Sequence, residues 1–207
     1  EWIVVQTGAV DSRARSLELP IELIGDAVRF VACHEAGHSL GLRHNMIASA
    51  AYPTDSLRSA TFTSRMGGTS ASIMDYARFN YVAQPGDEVK VMSPNIGPYD
   101  FMAIEWGYRW YPAGTNEDKV LTDLLAKYQG KEYRYSETQP QRSAVDPRAL
   151  SEDLGDDPVK SARLGIENLK RVMPNLVDWT RNNKAGQNYD EAGGLYSAVI
   201  FQWTLYL

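Results

Sequence analysis

A chain of 207 residues, 43% hydrophobic and 23% charged, has the make-up of a folded globular protein, not of a disordered or collagen-like one. Its net charge of −5 (21 basic against 26 acidic residues) weighs against nucleic acid or an anionic membrane as partner, and no apolar run reaches the length of a membrane span. The lone cysteine, Cys33, excludes an internal disulfide.

The chain opens on an apolar, β-branched stretch (Trp2, Ile3, Val4, Val5), which suits strand or helix and is read as a short helix over 1–8. Because it begins at Glu1 inside a segment that reads as ordered, it is expected to be a piece of a longer protein, and the lack of a targeting segment is uninformative. After connecting chain over 13–19, Pro20 fits a first helical position and Glu22 the first turn, where a carboxylate favours the helix dipole. The spacing of Leu23, Ala27, Val31 and Leu40 predicts a helix to about residue 42.

That helix carries the most informative residues. His34 and His38 are four apart and so share one helix face. Gly41 lets the helix stop and the chain reverse, and His44 then returns to the same point. Three neutral imidazoles converging on one spot make a tetrahedral Zn2+ site whose fourth position is open, the arrangement of catalytic zinc. Glu35, beside the first ligand, is the natural general base for a water in that position. Five fixed positions at a few per cent each make a chance match on the order of one start point in ten million.

Residues 45–73 are rich in Ser, Thr, Ala and Gly, and are expected to form a long loop wrapping the metal site. The run Ser72, Ile73, Met74, Asp75, Tyr76 follows. Pro85, Gly86, Pro94, Gly97 and Pro98 punctuate the next loop, before a helix predicted over about 99–110. Beyond Pro112 the composition shifts. An amphipathic helix is predicted over 117–128, a short strand over 131–136, and a polar linker or surface loop over 137–158. Pro158 begins a helix through Val172, Pro174 restarts it toward Arg181, and a last helix spans about 189–207. No internal repeat or low-complexity tract is present.

The histidine motif and the run around Met74 together resemble the metzincin zinc metalloproteases, whose Met-turn lies a few tens of residues past the third histidine. That resemblance implies Met74 as an apolar floor beneath the imidazoles. SIMDY is similar to the SIMHY of astacins and serralysins, where the tyrosine after the methionine approaches the zinc, which implies a role for Tyr76. Asp75 and Asn45 depart from the residues usual in the named metzincin subfamilies. Residues 13–111 look most like a bacterial family of large secreted zinc metalloproteases, which implies export to the envelope or exterior. The implied fold class is mainly α: a metzincin-type active-site helix and Met-turn subdomain (1–111), with a helical C-terminal extension (112–207). The twisted N-terminal sheet of that clan, which aligns substrate backbone, is largely missing from this chain. The active-site helix is therefore expected to expose an apolar flank, or to bury it on the C-terminal helices, on a second copy or on an upstream segment.

The implied function is a zinc endopeptidase acting on protein or peptide substrates. Alternatives are a non-catalytic, zinc-stabilised binding module, and a zinc amidase acting on cell-wall peptides. Tyr76 either donates to the oxyanion or simply packs near the turn. Cys33 is read as a small buried hydrophobe, not a ligand. Tyr108, Trp110 and Tyr111 are read as core. The acidic stretch Glu152, Asp153, Asp156 and Asp157 is read as solvated, with calcium as the lesser reading.

Overall fold

The computed structural model describes residues 1–137, 146–182 and 185–207. Among them are eight α-helices joined by 3-10 turns and long irregular segments, and no strand. Helix α1 (Trp2–Thr7) buries Val4 and Val5 between α6 (Pro158–Val172) and α8 (Asp190–Leu205). Its one long buried polar side chain, Gln6, donates to Gln202 of α8 at 2.9 Å, so the amide enters the core with a partner. Helix α6 starts as the sequence dictates: Asp157 accepts from Lys160 N at 2.9 Å and Pro158 takes the first turn. Its inner face buries Gly165, Leu169 and Val172. Asn168 on the same face donates to the carbonyls of Tyr81 and Ala83, tying α6 to the chain that follows Met74. The main core joins Val4, Tyr52, Leu57, Ala71 and Val82 to Leu154, Leu169, Leu176, Leu195 and Val199. It thus takes residues from both sides of the composition shift near Pro112.

The histidine-bearing helix, α2 (Ile21–Ser39), behaves differently. It buries only Leu23, His34 and Gly37. Ile21 (74%), Ile24 (41%), Val28 (61%) and Val31 (53%) stay exposed. The flank is therefore not buried on the C-terminal helices. Helix α4 (Pro98–Tyr108) follows the Met74 region and α5 (Glu117–Leu125) follows α4, both close to the predicted ranges. Past α6, a 3-10 turn at Met173–Asn175 leads into α7 (Leu176–Thr180), as Pro174 suggested. No helix among the described residues is long and apolar enough to cross a membrane.

Several expectations need correction. The stretch 45–73 is not one loop: Ala60–Met66 forms a helix, α3, which Ser59 caps by accepting from Phe62 N and Gly67 ends at φ 71°. Its poor helix formers (two threonines and a serine in seven residues) hid it. Residues 131–136 are not a strand. Lys131–Tyr133 is a 3-10 turn, and the extended chain after it pairs mainly with a side chain. The expected linker 137–158 lies partly outside the described residues. The part from 146 onward is no surface loop, since Ala149, Asp153 and Leu154 are buried. Tyr108 and Trp110 are exposed, not core, and Cys33 is partly exposed.

Candidate metal centre

Helix α2 sets the first two imidazoles on one face, with ring centroids 4.9 Å apart. The helix ends with Gly41 at φ 81°, and the Leu42 N–H returns to the Gly37 carbonyl at 3.0 Å. A left-handed residue is what this closing turn requires. The reversed chain carries His44 back, its ring 4.7 Å from that of His38 and 5.3 Å from that of His34. The potential ligand atoms of the three residues all lie within 4.8 Å of one another.

The hydrogen bonds decide which nitrogens face inward. His34 Nδ1 lies 2.8 Å from the Ile73 carbonyl, and His38 Nδ1 lies 2.9 Å from the Leu42 carbonyl. A carbonyl only accepts, so each Nδ1 carries the proton and each Nε2 presents a lone pair. His34 Nε2 is buried with no protein partner. His38 Nε2 sits 3.1 Å from His44 Nε2. Two nitrogens sharing a tetrahedral zinc at the usual Zn–N length are about 3.3 Å apart. The donor set and its spacing therefore fit zinc. Burial and the two neighbouring imidazoles push the His44 pKa below the ordinary histidine value, which keeps it in the ligating form. The Glu35 charge opposes that shift.

Met74 is fully buried, with its thioether against α2 at Gly37, between His34 and His38 in sequence. A Cβ built at Gly37 would lie 2.3 Å from Met74 Sδ, so the helix can pass over the thioether only where it has no side chain. Tyr76 is 40% exposed, and its ring centroid is 4.5 Å from that of His44 and 5.5 Å from that of His34. The structure thus brings together His34, His38, His44, Met74 and Tyr76. Cys33 is not in the converging group.

Two residues that the sequence did not single out build the turn. Asp100, in the first turn of α4, accepts from Gly97 N and Ile73 N, each at 2.7 Å, and from Ser72 Oγ at 2.5 Å. Burial raises its pKa and these three donors oppose the rise. Asp100 thereby holds the N–H of Ile73, the residue whose carbonyl fixes His34. The signal was there: an acid at the third position of a helix opened by Gly97-Pro98. Ser49 donates its N–H to Asp75 at 2.6 Å and its hydroxyl to Asp153 at 3.2 Å. Asp75, the departure from SIMHY, thus faces the interior and not the metal. Burial pushes Asp75 well above the usual carboxylate range and Asp153 up to about 7.

The rest of the acidic stretch is also committed. Glu152 pairs with Arg78, Asp156 accepts from Thr54 N, and Asp157 caps α6. It is neither simply solvated nor arranged around an ion. Among the described residues, the histidine trio is the group of three or more potential ligands that converges.

A family profile described as Met-zincin matches residues 16–207. No curated protein and no solved structure matches the chain.

Proposed function

This chain belongs to the Met-zincin family, and from that premise we propose that it is a zinc endopeptidase with Glu35 as general base and Tyr76 as oxyanion donor. The observation that carries the reading is the trio of inward-facing imidazole nitrogens, two with their tautomer set by a backbone carbonyl. Bound zinc lowers the pKa of its water toward neutrality and polarises the scissile carbonyl. Glu35 is exposed at the helix end and close in charge to His44. From there it takes the proton of the attacking water and passes it to the leaving amine. The Tyr76 ring stands against two of the imidazoles and is partly open to solvent, the position from which its hydroxyl donates to the developing oxyanion.

Glu35→Ala should retain one zinc per chain and lose about 100-fold or more of peptide hydrolysis, read by casein and peptide-library digests with metal analysis alongside. Undiminished turnover in that variant would remove Glu35 from its role. One observation favours a second reading, a zinc-stabilised binding module: the described residues include no strand that could align substrate backbone. Zinc without cleavage of any peptide would support that module. Cleavage restricted to cell-wall peptides would assign an amidase instead. Export to a bacterial envelope or exterior rests on the family resemblance alone, and fractionation of expressing cells tests it.

A further inference from the structure

The three ligands do not stand on equal footing. His34 and His38 share one rigid helix, whereas His44 follows Gly41 on chain with no regular structure. A ligand on such chain must be ordered each time metal binds, unless something else orders it first. The residues beside His44 show what does so. Asn45 is fully buried, and its amide meets the backbone of an extended strap from about 90 residues downstream. Nδ2 donates to the Arg134 carbonyl at 2.9 Å, and Oδ1 accepts from Ser136 N at 3.0 Å. Met46 N donates to the Ser136 carbonyl at 2.8 Å. On the other side of His44, Arg43 pairs with Glu137 at 2.5 Å. Asn45 N donates to the Met74 carbonyl at 3.0 Å, so the same residue also grips the turn beneath the imidazoles. The strap has its own support, because Tyr135 stacks on Tyr99 of α4 with ring centroids 6.1 Å apart.

We propose that Asn45 is a positioning residue that pins the strap 134–137 against the loop carrying His44, so that the downstream half of the chain sets how long zinc is held. The task calls for an amide. One side chain must offer a donor and an acceptor to two peptide groups of an extended backbone, as a neighbouring strand would. Aspartate keeps only the acceptor, and alanine keeps neither. The inference rests on zinc binding by the trio and is independent of whether the chain cleaves peptides.

The test is zinc release from the whole chain into a chromophoric chelator, together with the visible spectrum of the cobalt-substituted protein. Wild type, Asn45→Ala, Asn45→Asp and Glu137→Ala are compared. Asn45→Ala should release zinc at least tenfold faster, with a weaker cobalt band, while the metal-free far-ultraviolet circular dichroism stays unchanged. Asn45→Asp should fall between it and wild type, and Glu137→Ala should accelerate release a few-fold. Wild-type release rates and cobalt spectra in Asn45→Ala overturn the proposal, even if its metal-free form melts earlier. Should Asn45→Ala fail to fold, Glu137→Ala decides: its side chain is 44% exposed, and release at the wild-type rate sinks the idea. A wild-type chain that holds no zinc overturns the metal assignment itself, and this inference with it.

Discussion

At the scale of single residues, the site depends on one missing methylene. Gly37 sits in the last turn of α2, where glycine costs up to about 1 kcal/mol relative to alanine, and the thioether of Met74 fills the space a Cβ would take. Gly37→Ala should therefore destabilise the fold by about 1–3 kcal/mol despite its better helix propensity. Methionine is adaptable, so trimming it should relieve the clash. The double variant Gly37→Ala, Met74→Ala should lose less stability than the two single losses added together. Thermal melts of the four proteins in the cycle measure that coupling, and strict additivity would show that the two residues do not collide. The histidines were legible because their spacing is local and strict. Gly37 read as any glycine, because its partner is 37 positions away. Tyr108 and Trp110 were misread as core for the converse reason: aromatic character speaks for burial only when the tertiary fold supplies a surface to bury against.

At the scale of elements, α2 carries two of the three converging histidines and leaves an apolar face open. Ile21, Ile24, Val28 and Val31 recur at three- and four-residue steps, the period of a helix flank made for packing. No described element covers them. This row of aliphatic side chains should drive weak self-association of the 207-residue chain. Light scattering over a dilution series should show mass rising with concentration. Val28→Lys with Val31→Lys should keep the chain monomeric and the zinc bound, whereas equal association of variant and parent would dissociate the flank from the effect. The elements themselves were largely readable. Pro20, Pro98 and Pro158 stand at or near the starts of helices that formed where punctuation and periodicity placed them. Helix α3 escaped notice because its sequence argues weakly for a helix and only Ser59 and Gly67 mark its ends. The stretch 131–136 alternates like a strand, yet its backbone found the amide of Asn45 and not another strand.

At the scale of the whole molecule, the upstream and downstream halves share buried carboxyl groups as well as a core. Asp75 of the Met-turn and Asp153 of the downstream half meet at Ser49, and burial pushes Asp153 from its ordinary 3.8 up to about 7. The folded protein then holds a proton that the unfolded chain has released between those two values. The stabilising contribution of this group is complete below pH 4 and disappears as pH rises through 7. Asp153→Asn removes that titration, together with the Asp153 charge that helps to raise Asp75, and both changes act in the same direction with pH. The difference in melting temperature between variant and parent, both metal-free, should shift in favour of the variant from pH 5 to pH 8. Histidine protonation is common to both proteins and cancels. A difference that stays flat across that range would place the Asp153 proton elsewhere.

By itself, the sequence determined the zinc-binding character of this chain, since two histidines one helical turn apart, a glycine that reverses the backbone and a third histidine need no distant partner to converge. Only the tertiary structure decided what holds that centre in place. Asp100 beneath the turn, Met74 under a bare helix, Asn45 on its strap and the open flank of α2 are contacts, or missing contacts, between residues tens of positions apart. Such pairings depend on how elements pack, and neither periodicity nor spacing along one chain encodes them.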